Sequence, residues 1–217
     1  MTALAPLYPV VEKFFGIQGE GTYTGVPMAF IRLQGCSVGR KVCHHCDTQY
    51  ERLDFWKKGG QFSAHELVKW ATAYGYYRLC LTGGEPLDHD LHGFLEQGGY
   101  LDYLHMHIET SGTKEIPRQR DARCWYTCSP KPGYSEDWVL RADEIKVIVG
   151  GLGNREGWPT LHDALRWANQ FDKRVFLQPR NDRFSPDPRA LREAADLVRE
   201  YPRLRLSVQL HKFLGER

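Results

Sequence analysis

Seven short stretches of the chain are dense in β-branched, aromatic or leucine residues: Ala29–Gln34, Arg78–Thr82, His105–Glu109, Trp125–Ser129, Glu144–Val149, Arg174–Gln178 and Arg205–Gln209. Each has the length and composition of a strand. Between several of them, apolar residues recur at helical spacing instead. Ser63 is placed to cap a helix carrying Leu67, Trp70 and Ala71, and Leu91–Gln97 comes after the second strand. Thr160 heads a segment with Leu161, Ala164, Leu165 and Trp167, and Pro188 opens another with Leu191, Ala194, Ala195 and Val198. The alternation of strand and helix predicts an α/β fold with a parallel sheet. Neither a repeat nor a low-complexity linker interrupts it, and 217 residues suit one domain over 1–217.

The segments at the strand ends are more informative than the strands. Gly35-Cys36 comes after the first, Gly83-Gly84-Glu85 after the second, and Glu109-Thr110-Ser111-Gly112 closes the third. The fourth ends in Ser129-Pro130-Lys131, the sixth in Gln178-Pro179, and the last runs into His211-Lys212. In a parallel barrel the carboxyl ends of the strands share one rim, and active sites form there. A complete eightfold barrel typically runs to about 250 residues. The chain is therefore expected to form an incomplete, open parallel (β/α) barrel.

Composition narrows the classes. Hydrophobic residues make up 41% and charged residues 26%, as in an ordinary globular protein. A formal charge of +2 gives no basic footprint, so no nucleic-acid partner is expected. No apolar run is long enough to span a bilayer, and Met1–Val11 lacks the pattern of a secretory leader. The expected location is cytoplasmic, where disulfides are rare.

Six cysteines then need another explanation. Cys36, Cys43 and Cys46 lie within eleven residues, at C-x₆-C-x₂-C spacing; Cys80, Cys124 and Cys128 are scattered and suit ordinary packing. Three thiolates on an iron–sulfur cubane leave one iron open, whereas four close it for electron transfer. On the cysteines alone, structural zinc with His44 or His45 competes as a fourth-ligand reading.

The wider set of motifs separates these readings. Thr82-Gly83-Gly84-Glu85-Pro86 lies beyond the cysteines, Gln18-Gly19-Glu20-Gly21 precedes them, and Glu109-Thr110-Ser111-Gly112, Ser129-Pro130-Lys131, Gln178-Pro179 and His211 come after. The ordered set, from Phe15 to the C-terminus, resembles the 7-carboxy-7-deazaguanine synthases of the radical S-adenosylmethionine superfamily. The cysteine spacing departs from the common pattern. The superfamily's usual C-x₃-C-x₂-C is longer here by Arg40-Lys41-Val42, in a family whose first gap varies.

The resemblance implies a barrel of the radical S-adenosylmethionine type and three cofactors: a 4Fe–4S cluster, S-adenosylmethionine and Mg²⁺. Cys36, Cys43 and Cys46 would hold the cluster, and Thr48 the magnesium. His45, Gly84, Glu85, Glu109, Ser111, Ser129, Pro130, Lys131 and the Gln178, Pro179, Arg180, Asn181 segment would face S-adenosylmethionine. Ile17, Gln18, Gly19, Glu20, Gly21, Arg32, Thr82, His211 and the terminal Arg217 would face the substrate, 6-carboxy-5,6,7,8-tetrahydropterin. A 5′-deoxyadenosyl radical would take a hydrogen from that pterin. Ring contraction with loss of ammonia would give 7-carboxy-7-deazaguanine, in queuosine and 7-deazapurine biosynthesis. Further implied are a flavodoxin-like or ferredoxin-like electron donor and a homodimer. The competing readings are a glycyl-radical activase, which would not require Gln18–Gly21 or His211, and a zinc-stabilised binding module.

Overall fold

The computed structural model describes residues 6–44, 46, 48–51, 59–99, 104–115, 117, 123–150, 155–181 and 187–215. Its frame is one nine-stranded sheet. In chain order the strands are β1 (Leu7–Ile17), β2 (Pro27–Leu33), β3 (Gly60–Ser63), β4 (Arg78–Gly83), β5 (His105–Thr110), β6 (Cys124–Cys128), β7 (Glu144–Val149), β8 (Arg174–Pro179) and β9 (Leu204–Leu206). They lie side by side as β3-β1-β2-β4-β5-β6-β7-β8-β9. From β2 onward every neighbouring pair is parallel, while β1 is antiparallel to both β2 and β3. β3 and β9 are the two edges, so the barrel is open, as expected.

The seven stretches read as strands are the seven parallel ones. Two strands escaped that reading. β1 pairs with β2 through a register shift between Val10 and Glu12. Val10 and Val11 are both buried, so the strict inside–outside alternation of a strand is lost there. β3 is four residues long and ends on Ser63, which also caps the next helix. The last strand is shorter than expected. Pairing stops at Leu206, and a helical turn begins at Leu210.

Six helices accompany the sheet among the described residues: α1 (Ala64–Ala73), α2 (His92–Gly99), α3 (Glu136–Arg141), α4 (Leu161–Gln170), α5 (Pro188–Glu200) and α6 (Leu210–Leu214). Reciprocal capping boxes start α1 (Ser63 with Glu66) and α4 (Thr160 with Asp163), satisfying backbone N–H groups that a helix cannot pair internally. Asp187 caps α5, with Pro188 in the first turn. None of the helices is long and apolar enough to cross a membrane.

Period-two alternation sorts the parallel strands into two faces. Ile31, Leu33, Leu79, Leu81, Met106 and Ile108 join a core with Leu67 and Val68 of α1 and Phe94 of α2. Ile145, Val147, Val149, Val175 and Leu177 join a second core with Trp167 of α4 and Ala194 of α5. The residues between them (Arg32, Thr82, Glu109, Lys146 and Gln178 among others) face a cavity instead. Helices shield one face of the sheet, and the other face carries the chemistry.

Candidate active site

The cavity measures about 340 Å³ and collects residues from every parallel strand except the short β9. Cys36, Cys43 and Cys46 line it, and all three are free, partly exposed thiols. The loop carrying them is tied at its base, where Gly35 N donates to Tyr50 O (2.9 Å), and along its length, where Cys43 N donates to Gly39 O and Cys46 N to Cys43 O. Burial pushes the Cys43 thiol up, Lys131 draws it down, and Cys46 and Cys36 push it up again. Burial raises Cys36 as well. Such crowded, desolvated thiols gain most when a cationic centre gathers them as thiolates, so the donor set fits an iron–sulfur cluster. Among the described residues no three His, Cys, Asp or Glu side chains are gathered to hold a single metal ion. Cys80, Cys124 and Cys128 are buried; burial holds the Cys128 thiol at about 12 and Cys80 well above its usual value, as inert core residues.

The Gly84-Glu85 turn after β4 lies directly on this loop. A Cβ on Gly84 would fall 1.5 Å from Gly35 O and 3.2 Å from the Cys36 Cβ. Glycine is required here because two backbones touch, and Glu85 N donates to the same Gly35 O at 3.0 Å. The buried Glu85 carboxylate accepts from Leu87 N (3.1 Å), Thr110 Oγ1 (2.8 Å), Ser111 N (2.8 Å) and Ser111 Oγ. Hydroxyls and backbone N–H groups satisfy it, so it staples the end of β4 to the end of β5. Ser129 and Lys131 sit beyond that staple, with Lys131 Nζ donating to Ser129 O and Oγ at 2.7 Å. Burial lowers the Lys131 pKa, with Cys43 acting against it.

At the opposite side stands Glu20. Lys146 Nζ and Gln209 Nε2 both donate to its carboxylate, and Gln178 Nε2 donates at 3.2 Å. Burial alone would raise its pKa, but Lys146 foremost, with Gln209 and His211, outweighs burial and holds the carboxyl down at about 2. Gln18 bridges this group to the next: its Oε1 accepts from Glu20 N, and its Nε2 donates to Glu109 Oε1 (3.2 Å). Thr82 Oγ1 donates to the other Glu109 oxygen at 2.8 Å. Arg32 is held by Glu12, directly across the β1–β2 ladder, at 2.8 Å from Nε, and its Nη1 lies 3.4 Å from Thr48 Oγ1. It is a cavity residue with an 18% exposed side chain.

Most of the residues expected at the site are brought together. Ile17, Gly19, Pro179, Arg180 and Asn181 also line the cavity, as does His211, which packs on Gly19 so closely that a Cβ there would fall 2.1 Å from its Nδ1. Asn181 Oδ1 is buried without a partner, an acceptor a ligand can satisfy. Gly21 and Pro130 do not line the cavity. Gly21 instead turns the chain at φ +66° against Glu144, with its N–H on Ser207 Oγ. His45 and Arg217 lie outside the described residues. Several cavity residues were missed, among them Lys146, Gln209, Thr127, Arg155 and Trp158. Lys146 had a legible signal: in Glu144-Ile-Lys146-Val-Ile148 the alternation puts two charged residues on the face away from the helices.

An open parallel barrel, a three-thiol loop and a Gly-Gly-Glu turn seated on that loop define a radical S-adenosylmethionine enzyme. Comparison with known proteins carries the assignment further. The 7-carboxy-7-deazaguanine synthase of Bacteroides thetaiotaomicron is 35% identical over 211 residues, covering 95% of this chain and 97% of that protein. The synthase of Escherichia coli K12 is 35% identical over 239 residues, covering 96% and 98%. The crystal structure of QueE from Escherichia coli superposes with a TM-score of 0.74 at 32% identity, over 94% of this chain and 95% of that one. No protein-family model matches the chain. The chain belongs to the 7-carboxy-7-deazaguanine synthase family.

Proposed function

We propose that the chain converts 6-carboxy-5,6,7,8-tetrahydropterin to 7-carboxy-7-deazaguanine with loss of ammonia, a step of 7-deazapurine and queuosine biosynthesis. The observation that carries this reading is the shared cavity, which both the three thiols and the buried Glu20 line. When bound, the cluster and S-adenosylmethionine supply a carbon radical. The chain's own residues bind, orient and shield.

Cys36, Cys43 and Cys46 are the proposed cluster ligands. Gly84, Ser111, Ser129 and Lys131 form the proposed cofactor wall, with Glu85 fixing its shape from behind. The pterin's amino and ring N–H groups are donors, and an ionised carboxylate only accepts, so Glu20 is the proposed reader of that edge. Lys146 keeps it ionised, and Gln178 and Gln209 keep its orientation. Arg32 has the forked geometry that a substrate carboxylate requires. Thr48 Oγ1 lies beside that fork, so a magnesium ion held there would share the same carboxylate; Mg²⁺ keeps its waters and borrows substrate oxygens, which suits a single protein ligand. An external low-potential electron donor, a homodimer, a cytoplasmic location and a single catalytic domain complete the proposal. The last is supported by one sheet drawing strands from Leu7 to Leu206.

The test is reconstitution with iron and sulfide without oxygen, then addition of dithionite, Mg²⁺, S-adenosylmethionine and the carboxypterin. 5′-Deoxyadenosine and the deazaguanine product together are the expected result. Deoxyadenosine without the second product would reopen the substrate, and neither product from iron-loaded protein would overturn the reading.

A further inference from the structure

The three residues that lengthen the cluster loop begin with Arg40, and its guanidinium closes the loop on itself. Nη1 donates to Cys46 O at 2.9 Å and Nη2 to Thr48 O at 3.0 Å. Nε donates to Glu51 Oε1 at 3.0 Å, and the fork lies 5.4 Å from the ring of the buried Tyr50. One side chain thus spans from the outgoing limb of the loop to the returning limb. The two carbonyls it grips belong to a proposed cluster ligand and to the proposed magnesium ligand.

We propose that Arg40 is a positioning residue, a strap that fixes Cys46 and Thr48 together and so does for this longer loop what brevity does for a shorter one. The proposal rests on the cluster reading of the three thiols. A longer gap between the first two cysteines leaves the returning limb more conformations to lose, and the strap removes them. The guanidinium suits the task because its donors are arranged in a rigid fork, whereas a lysine offers one flexible point of attachment. The contact with Glu51 is the lesser part: both side chains are well exposed, at 43% and 63%, and such pairs contribute little. The two backbone carbonyls carry the function, through charge-assisted hydrogen bonds made by one rigid group.

Arg40→Gln, Arg40→Lys and Glu51→Gln, each as the full chain, separate the strap from its alternatives. Iron would be loaded anaerobically and its release to a chelator timed without turnover; the Mg²⁺ concentration for half-maximal product formation and the unfolding midpoint of the cluster-free protein would be measured alongside. Arg40→Gln should release iron about tenfold faster, the scale of one or two charge-assisted hydrogen bonds, and need several-fold more Mg²⁺. Arg40→Lys should behave like it, because charge without the fork does not reach both carbonyls. Glu51→Gln should match the parent chain, and the unfolding midpoints should all coincide. Unchanged iron release and Mg²⁺ demand in Arg40→Gln, beside a parent that loads iron and turns over, would overturn the strap alone. So would full rescue by lysine. A parent chain that takes up no iron would overturn the cluster reading and the strap with it.

Discussion

Glu20 and Lys146 meet inside the barrel at a place where neither charge would persist alone. Burial opposes ionisation of both, and each is held charged by the other: the carboxyl at about 2 against its usual 4.5, the ammonium above its usual 10.5. The depressed carboxyl contributes stability that is present above about pH 4.5 and is lost as pH falls toward 2. The raised ammonium contributes stability that is present below about 10.5 and is lost at higher pH. The pterin recognition proposed for Glu20 should therefore be flat with pH across the neutral range. Lys146→Met leaves burial as the dominant influence on Glu20, whose pKa then rises. The variant should show a KM for the pterin that climbs as pH drops below neutral, with a loss of about 3–5 kcal/mol in stability from the unpaired buried charge. A pH profile of KM as flat as the parent's would remove Lys146 from the site. This pair marks the limit of what residue types reveal. The sequence motif announces Glu20, but its partner sits 126 positions away, where strand alternation marks the face of Lys146 and nothing marks the pairing. Glu85 shows the same limit from the other side, since its motif is legible while its task, holding Ser111 and Thr110 rather than pairing with a cation, depends on where β5 ends.

At the scale of elements, the parallel strands and the helices with strong caps were legible, and the reason is local. Ser63 with Glu66 and Thr160 with Asp163 are complete start signals within four residues, and the strands between them are short runs rich in apolar, aromatic and β-branched residues. β1 was hidden by its bulge and β3 by its length. α3 and α6, at six and five residues, are too short to show a periodic face. α3 nevertheless matters, because its Glu136 accepts from the indole N–H of Trp167 at 3.1 Å and so links two helices on the outer face. Trp167 is fully buried in the second core. Trp167→Ala should cost about 3–5 kcal/mol of unfolding free energy, read from a urea titration, as a large cavity beside β7 and β8 would require. The cysteine loop belongs to the other half of the sheet, so iron content per folded molecule should be unchanged. A cluster lost together with that stability would mean that the two cores do not act independently.

For the whole molecule, the consequence of the open barrel is that one face of one sheet holds the residues of both proposed binding functions side by side. The ends of β4, β5 and β6 build the wall beside the thiols, while β1, β2, β7 and β8, with the segment after β9, surround Glu20 and Arg32. Side-chain hydrogen bonds from Gln18 to Glu109 and from Thr127 to Glu144 join the two halves. Arg32→Ala tests whether the halves divide the labour. Glu12 would lose its 2.8 Å contact with Arg32 but lies on the side of Arg32 away from the thiols' wall, and on the other side the Arg32 Cγ packs on Gly83. Loss of charge-assisted bonds to the substrate carboxylate should raise the KM for the carboxypterin by roughly 10- to 100-fold. Slow cleavage of S-adenosylmethionine without pterin, measured as deoxyadenosine per cluster, should stay at the parent rate. Arg32→Lys should fall between the two, because it retains the charge and gives up the fork. If pterin-free cleavage falls as far as pterin binding, Arg32 supports the whole cavity rather than the carboxylate. The division of the rim into a cofactor half and a pterin half would then be wrong.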